Sequence, residues 1–385
     1  MRKFGILVIV FLLPFWSFAD VDDSLSKSAS PKENFNIDIV SFEDNKVPVN
    51  YELFKCHINS KDFEVPMDYN NYVKSQIDFF GIRWQSKLKT MITMSEYIFP
   101  IYEEILSSYD MPMEIKYLSV IESALNPFAG SHAGAVGPWQ FMPATARIFD
   151  LEINSSIDER RSLEKSTHAA CSYLQQMYKQ YGDWHMALAA YNCGPGNVRK
   201  AMRNSGKRDF WGIYNYLPRE TQNYVPKFIA VTYMMNFYDH YGITPAPISS
   251  DIFNVEKVFC QKGLDFSVIA KNLEITVEDL AQINPEIKSN EIPYEDDGYF
   301  LIIPSHLYNQ FYELQETIIR ESELKAEQLR IEIANRPKPR YYYVKKGDCI
   351  QLIAQKFDIS NAELRSWNNL RGNVIHPHQK LRVSN

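Results

Sequence analysis

Cysteine is scarce in this chain, and no two cysteines are spaced as metal ligands usually are. The 385 residues include five, an odd number without a CxxC pair: Cys56, Cys171, Cys193, Cys260 and Cys349. This spacing argues against a zinc site and against a disulfide scaffold. We interpret these residues as small buried side chains, with one disulfide as the open alternative, and we expect no metal and no other cofactor.

Positive charge is also in short supply. The 41 Lys and Arg residues are outnumbered by 47 Asp and Glu residues, which gives a formal net charge of −6. Binding to nucleic acid requires a basic surface that neutralises phosphates. The composition therefore predicts no nucleic-acid partner.

No hydrophobic run is long enough to cross a bilayer comfortably. The most apolar stretch, residues 4–16, follows two basic residues, is interrupted by Pro14 and precedes Ala19. This order is typical of a secretory signal peptide. We expect residues 1–19 to be a signal peptide removed after Ala19, and its retention as an anchor is the open alternative. No Cys follows the expected cleavage site, so we expect a periplasmic or cell-envelope protein without a lipoprotein cysteine.

Shifts in composition divide the rest of the chain into five segments. Residues 20–65 are polar and mixed, which is typical of a linker or extended segment. Residues 66–245 contain apolar positions at helical spacing and end in a Pro-rich boundary. Residues 255–304 and 341–385 form a weak internal repeat, in which each copy fits strand, helix, helix, strand. Between the copies, residues 305–340 predict a solvated helical spacer that ends in a proline hinge.

Acidic residues are absent from residues 123–149, directly after Glu122. Ordinary glycoside hydrolysis uses two carboxylates, one on each side of the scissile bond. A glycan-cleaving site with one nearby acid therefore indicates a substrate that supplies its own nucleophile. Glu122 follows Leu118 by four residues on an apolar helical pattern, so burial should raise its pKa and suit it to general acid catalysis. The simpler interpretation is a surface Glu near a helix end.

Small residues follow Glu122 in the chain. Gly134 and Gly137 let the backbone approach a ligand closely. Gln140 offers an amide to sugar hydroxyl and acetamido groups, and Met142 offers an apolar wall. A phosphate-binding loop is the alternative, but no Lys-Ser or Lys-Thr pair follows the glycines. We therefore favour a saccharide-binding loop.

Two later segments contain further candidates. Tyr191 and Asn192 end a helix of small residues before a glycine turn, although a core aromatic and a helix C-cap are their simpler interpretations. Glu220 and Tyr224 follow, and Glu220 is a candidate second acid. The helix dipole alone also favours a Glu at a helix start.

These residues form four ordered motifs that resemble those of the family 1 lytic transglycosylases. The motifs are Glu122-Ser123, then Gly134, Gly137 and Gln140, then Tyr191-Asn192 with Gly194 and Gly196, and finally Glu220-Thr221 with Tyr224. The resemblance covers about residues 80–235 and implies a mainly α, lysozyme-like catalytic domain.

The two C-terminal repeats are similar to LysM modules, which are small α+β (βααβ) units that bind glycans containing N-acetylglucosamine. The second copy is the clearer one and the first is degenerate. In the second copy, Cys349 and His378 replace the Thr and Gly that such modules usually have. This resemblance implies a glycan-binding module at residues 341–385.

The resemblance implies a peptidoglycan lytic transglycosylase. Glu122 would protonate the oxygen that leaves N-acetylmuramic acid, and would then accept the proton of the C6 hydroxyl as that hydroxyl closes a 1,6-anhydro ring. Tyr191 would orient Glu122 or its substrate. The implied substrate-binding and supporting residues are Ser123, Ser131, Gln140, Met142, Tyr191, Asn192, Glu220 and Tyr224.

Two alternatives stay open. A hydrolytic muramidase would admit water and release a reducing muramic acid. A catalytically inactive cell-wall protein would bind glycan through the same residues without turnover. The expected partners are peptidoglycan glycan strands and, in addition, a cell-envelope protein complex.

Overall fold

The computed structural model describes residues 51–245, 254–292, 298–335 and 339–384. The expected signal peptide, residues 1–19, lies outside them, as does most of the expected linker. The described residues divide into two compact units, one ending at Gln315 and the other beginning at Glu316. Within these described ranges, no helix combines the length and the hydropathy needed to cross a bilayer.

The larger unit begins with a helical domain that reaches residue 245. Its α-helices are α1 (Tyr51–Ile58), α2 (Asn71–Asp78), α3 (Gln85–Ser108), α4 (Lys116–Ser123), α5 (Pro143–Ile148), α6 (Leu163–Tyr181), α7 (Trp184–Ser205), α8 (Phe210–Ile213) and α9 (Arg219–Phe237). Helix α9 packs against α2, α4 and α7, and Val225, Phe228 and Ile229 on it are completely buried. The prediction of a mainly α domain is confirmed.

Capping residues explain where several of these helices begin and end. Asn70, Ser162 and Asp183 accept hydrogen bonds from backbone N–H groups in the first turns of α2, α6 and α7. Gly182 and Gly206 adopt the left-handed conformation that ends α6 and α7. These boundaries follow from the local sequence alone.

The helical domain extends further toward the N-terminus than the sequence predicted. Residues 51–65 fall in the segment 20–65 that was interpreted as a linker, yet they contain α1. Phe54 on α1 is 2% exposed, and His57 stacks on Phe237 with ring centroids 4.6 Å apart. The polar composition concealed one short helix that buries a single face, so the linker interpretation was wrong for these residues.

The glycine turn predicted after Asn192 is present, and a second helical segment that was not predicted follows it within α7. Gly194 has φ 80° and ψ 148°, which kinks the chain inside the helix, and helical geometry then continues to Ser205. Pro195 begins the second segment, a position where its missing N–H costs nothing. The kink leaves Asn192 at the end of the first segment, where it faces α9.

Two small α+β modules follow the helical domain. The first contains β1 (Val255–Cys260), α10 (Phe266–Leu273), α11 (Val277–Ile283) and β2 (Tyr299–Pro304), and α12 (Tyr308–Asn335) comes after it. The second contains β3 (Tyr341–Tyr343), α13 (Ile350–Lys356), α14 (Asn361–Trp367) and β4 (Lys380–Arg382). Both strand pairs are antiparallel, with Val255 opposite Pro304 and Tyr341 opposite Arg382. The predicted strand, helix, helix, strand order is confirmed in both copies.

An asparagine at the end of the second helix closes each module in the same way. Asn284 accepts a hydrogen bond from the N–H of Ile302 and donates one to its carbonyl oxygen, both at 2.8 Å. Asn368 makes the same pair of bonds to Arg382, at 2.7 and 2.9 Å. In the second module, His378 has φ 68°, the left-handed conformation that explains why glycine is usual there.

The cysteines only partly follow the prediction. All five are free thiols, and Cys171 and Cys260 are buried as expected. Cys56, on α1, and Cys349, directly before α13, are exposed. The general prediction of buried cysteines was therefore wrong for these two.

The long helix α12 is less of a spacer than its charged sequence indicated. Phe311 in its first half is completely buried, and Gln310 donates a hydrogen bond to the carbonyl oxygen of Asn272 in α10 at 3.2 Å. The beginning of α12 therefore packs on the first module. Its later residues, from 324 to 335, are exposed as predicted.

Candidate active site

Glu122 lies in the last turn of α4, where the helix changes into a left-handed turn. Ala124 and Leu125 have φ values of 55° and 63°, which end the helix directly after the carboxyl group. The phenol of Tyr224, on α9, donates a hydrogen bond to Oε1 of Glu122. The candidate acid is thus held between two helices by a neutral donor.

Burial changes the protonation behaviour of Glu122. Desolvation is the largest cause that raises its pKa to about 7, and the negative charge of Glu220 raises it further. The hydrogen bond from Tyr224 and the positive charge of Lys227 act in the opposite direction. A carboxyl group with a pKa near 7 is present as both acid and base at neutral pH, as a single acid-base catalyst requires.

The polar side chains that surround Glu122 come from one face of α9. Glu220, Tyr224 and Lys227 are spaced by four and three residues, so they project from the same side of the helix. Burial lowers the pKa of Lys227, while the charges of Glu220 and Glu122 raise it. Lys227 was not among the residues predicted from the sequence, although its helical spacing from Tyr224 was a usable signal.

Residues 126–142, here called the site loop, fold back on themselves after α4. Antiparallel bridges pair Val136 with Gly130 on one side and with Phe141 on the other. The side chain of Trp139 is completely buried and donates to Thr167 Oγ1 on α6 at 2.8 Å. The loop is therefore anchored in the core of the helical domain.

Gly137 and Gly134 in the site loop are glycine for different reasons. Gly137 has φ 87°, and a Cβ added there would lie 1.7 Å from the carbonyl oxygen of Arg160. Gly134 has φ 92° but has open space beside its Cα. Close approach of the backbone to a ligand was predicted for both glycines. At Gly137 the close neighbour is the protein's own backbone.

Ser123 and Tyr191 hold the backbone of the site loop. Ser123 Oγ donates to the carbonyl oxygen of Pro138 at 2.9 Å, and Tyr191 Oη donates to that of Trp139 at 2.7 Å. From the sequence, Ser123 was predicted to position sugar and Tyr191 to orient the acid or its substrate. The tyrosine that contacts the acid is instead Tyr224, because α9 crosses α4 at this point.

Gln140, Met142 and Ser131 lie on the site loop with groups left for a ligand. Gln140 donates its two amide hydrogens to loop carbonyl oxygens at 2.8 and 3.3 Å, so its Oε1 is the atom that remains for a ligand. Met142 is 41% exposed. Ser131 Oγ accepts a hydrogen bond from the N–H of Ala135 at 3.0 Å, which leaves its hydroxyl hydrogen as a donor.

Asn192 joins α7 to the start of α9. Its Oδ1 accepts a hydrogen bond from Thr221 Oγ1 at 2.7 Å, and its Nδ2 donates to Glu220 Oε1 at 3.2 Å. Glu220 is exposed in the first turn of α9. The structure thus places Asn192 as the residue that orients the candidate second acid.

A separate cavity lies away from these residues. A cavity of about 600 Å³ is lined by Tyr109, Phe149, Lys165 and His168 among others, and none of the predicted site residues contributes to it. Among the residues that the structure describes, no group of three or more His, Cys, Asp or Glu could hold a metal ion.

Comparison with known families identifies the three folded parts. Residues 100–214 match the family described as the transglycosylase SLT domain. Residues 342–384 match the LysM domain, and residues 254–319 match the LysM-like domain of lytic transglycosylase MltD. The chain therefore contains the catalytic domain type of the lytic transglycosylases, followed by two LysM-type domains, and the resemblance is confirmed.

The sequence is also similar to individual known proteins. The sequence is 32% identical to membrane-bound lytic murein transglycosylase D of Escherichia coli K12, over 71% of this chain and 60% of the relative. It is 36% identical to the soluble lytic murein transglycosylase of the same strain, over 34% of this chain and 22% of the relative. The solved 70 kDa soluble lytic transglycosylase of Escherichia coli is 29% identical with a TM-score of 0.32, covering 38% of this chain and 25% of that chain. The chain thus matches less than two thirds of the length of each.

Proposed function

We propose that this protein is a peptidoglycan lytic transglycosylase that cleaves the β-1,4 bond between N-acetylmuramic acid and N-acetylglucosamine without water. The observation that supports this most directly is the environment of Glu122, a desolvated carboxyl group with a pKa of about 7. It is held by Tyr224 and followed by a site loop without any acid. Residues 66–245 would form the catalytic domain, extended by α1, and the protein would act in the cell envelope.

The first step uses Glu122 as the acid. Because Tyr224 donates to Oε1, the acidic proton of Glu122 belongs on Oε2, which faces the glycosidic oxygen in this proposal. Transfer of that proton releases the N-acetylglucosamine hydroxyl and leaves an oxocarbenium-like centre at C1 of the muramic acid. The 2-acetamido group of the substrate stabilises that centre from within the sugar.

The second step uses Glu122 as the base. Its carboxylate, stabilised by Tyr224 and by the nearby Lys227, removes the proton of the C6 hydroxyl of the same muramic acid. The C6 oxygen then attacks C1 and closes the 1,6-anhydro ring, which returns Glu122 to its protonated form. Intramolecular attack is favoured by entropy, so no second carboxylate is needed to activate water.

Substrate contacts come from the site loop in this proposal. The Oε1 of Gln140 would accept from a sugar hydroxyl or acetamido N–H, and the hydroxyl of Ser131 would donate. Met142 would pack against a sugar face. Ser123 and Tyr191 would support these contacts by fixing the loop backbone.

Product analysis tests the function directly. The purified protein should release muropeptides from sacculi that end in 1,6-anhydro-muramic acid, and mass spectrometry identifies these because they are one water lighter than hydrolysis products. Glu122→Gln should lower the rate by about 10²- to 10⁴-fold, the usual contribution of a general acid-base group. Equal digestion by Glu122→Gln would contradict the catalytic role of Glu122, and the absence of digestion by both proteins would favour a glycan-binding role.

A hydrolytic muramidase is the second candidate, and one observation favours it. Glu220 is close enough for its charge to raise the pKa of Glu122, so a second carboxylate is present near the first. A muramidase would use such a group to activate water. Reducing muramic acid ends in the same mass spectra would establish hydrolysis.

A further inference from the structure

The first module, residues 255–304, is joined to the helical domain through its backbone. An antiparallel bridge of Ile157 with Ile287 makes this junction. Its two hydrogen bonds run from the N–H of Asp158 to the carbonyl oxygen of Glu286 at 2.8 Å and from the N–H of Lys288 to that of Ser156 at 2.7 Å. Another bridge pairs Ile153 with Asp158. Residues 286–288 therefore add an edge to the hairpin formed by residues 153–158.

Side chains bury this junction. Ile157 and Ile287 are 1% and 4% exposed, and Glu286 is 8% exposed with Tyr299 as a hydrogen-bond donor at 3.4 Å. At the rim, Lys257 of β1 forms an ion pair with Glu164 of α6 at 2.6 Å. The contact thus has an apolar centre and a charged edge.

The second module contains an equivalent segment for comparison. Asn284 and Asn368 occupy equivalent positions, so the residues that follow them correspond. After Asn284, Glu286 and Ile287 are buried. At the equivalent positions after Asn368, Leu370 is half-buried and Arg371 is exposed. The first module therefore uses for docking a segment that is more exposed in the second module.

Arg160 connects the site loop to the hairpin of residues 153–158, on which the first module docks. Arg160 is 6% exposed, and its Nε and Nη2 each bond an oxygen of Asp158 at 2.8 Å. Its Nη1 donates to the carbonyl oxygens of Gly134 at 2.9 Å and of Phe141 at 3.1 Å. The buried guanidinium of Arg160 thus connects Asp158, whose backbone binds the first module, to carbonyl oxygens on both sides of the site loop.

We propose that the first module is a positioning element of the active site, which fixes the site loop through Asp158 and Arg160. Docking orients the backbone of Asp158, Asp158 holds the planar guanidinium, and Arg160 holds the loop that presents Gln140 and Met142. The catalytic consequence rests on the proposed function, whereas the structural consequence does not.

Hydrogen exchange of the full-length protein tests the structural part. The N–H of Gly137 donates to Ala129 and that of Val136 to Phe141 within the site loop. Ile287→Asp places a charge in the buried junction, and we expect the exchange of these two loop amides to rise by about tenfold or more. Arg160→Lys retains a positive charge without the fork geometry and should have the same effect while the module stays docked.

Kinetics on a short soluble glycan test the catalytic part. In both variants kcat should fall by about tenfold or more with little change in KM, since small displacements of positioned groups reduce turnover steeply. The assay is run well below the unfolding transition, which circular dichroism locates for each variant. Glu278→Gln, on the exposed part of α11 in the same module, is the matched control and should match the wild type in both experiments.

Distinct results contradict distinct parts of the proposal. If Ile287→Asp accelerates exchange in residues 153–158 but leaves Gly137 and Val136 unchanged, the coupling of module to loop is refuted. If loop exchange rises and kcat does not change, the positioning role is refuted. A wild-type protein that makes no anhydro product would refute the proposed function, and the exchange experiment would still decide the coupling.

Discussion

Glu122 shows how the environment of one residue determines its chemistry. The side chain is desolvated at the end of α4, and α9 brings one acid, one phenol and one cation toward it. Burial is the dominant cause, so the pKa rises to about 7 despite the hydrogen bond and the cation. Charges on α9 therefore tune the pKa of Glu122.

Two substitutions on α9 should move the pH profile of turnover in opposite directions. Glu220→Gln removes a negative charge and should lower the pKa of Glu122, so the loss of kcat/KM at high pH begins at a lower pH. Lys227→Met removes a positive charge and should shift that loss to higher pH. Each shift should be up to about one pH unit. A pH series with a soluble glycan measures both, and shifts of the same sign would contradict this assignment.

The raised pKa of Glu122 also has a cost in stability. Its ordinary value is 4.5 and its folded value is about 7, so the folded state binds this proton more tightly than the unfolded state. The penalty is absent below pH 4.5, grows as the pH rises and is complete above about pH 7. Glu122→Gln removes it and should stabilise the protein by about 1–3 kcal/mol at pH 8, with no gain at pH 4.

Urea unfolding at the two pH values measures this difference. Glu104→Gln, on the exposed side of α3, is the matched control and should leave stability unchanged at both pH values. A Glu122→Gln protein that is less stable than the wild type at pH 8 would show that ionised Glu122 is well solvated.

The sequence predicted the central residue of this site better than its partners. Glu122 was found because an apolar helical pattern precedes it and no acid follows it before residue 150. The roles of Tyr191 and Tyr224 were not separable, because both are aromatic residues in motifs. Tyr224 and Glu122 are 102 residues apart, and only the crossing of two helices brings them together.

At the scale of elements, the site loop depends on close backbone packing. Gly137 and Gly134 have nearly the same φ, 87° and 92°, but only Gly137 faces a neighbouring carbonyl oxygen, 1.7 Å from where a Cβ would lie. Because an alanine at either position would have the same strain of a left-handed conformation, the two positions form a matched pair. The difference between them isolates the steric clash with Arg160.

Gly137→Ala should destabilise the protein considerably more than Gly134→Ala. Gly134→Ala adds only the strain of a left-handed alanine, roughly 1–2 kcal/mol. Gly137→Ala adds that strain and also displaces either the site loop or the segment that contains Arg160, for a total of about 3–5 kcal/mol. Chemical denaturation of both variants gives the comparison, and equal losses would mean that the loop moves without cost.

Helices and strands that are marked by a local sequence pattern were predicted well. Elements that depend on contacts with distant parts of the chain were not. The two modules follow from hydrophobic pattern and turn residues, and both have the expected order of strands and helices. Helix α1 was missed because its burial depends on Phe237, far along the chain. The glycine turn that ends the first segment of α7 was predicted, whereas the second segment, which continues to Ser205, was not.

At the scale of the whole molecule, the two LysM-type modules differ in their surroundings. The first is docked on the helical domain within one compact unit, whereas the second belongs to the separate unit that begins at Glu316. The second module has its own small core of Val344, Ile353, Leu364 and Leu381. We therefore expect the two modules to have different tasks, local positioning for the first and attachment to glycan for the second.

A protein that ends at residue 335 should separate attachment from catalysis. Without the second module it should sediment poorly with purified sacculi, because the module that remains has its comparable segment covered by the helical domain. Its kcat and KM on a short soluble glycan should match the full-length values, since the site loop and the Arg160 contacts are intact. Co-sedimentation and soluble turnover are measured on the same preparations, with Glu122→Gln as the control that binds without cutting. Full retention on sacculi would place the glycan-binding surface in the larger unit, and a fall in soluble turnover would show that the second module also contributes to the active site.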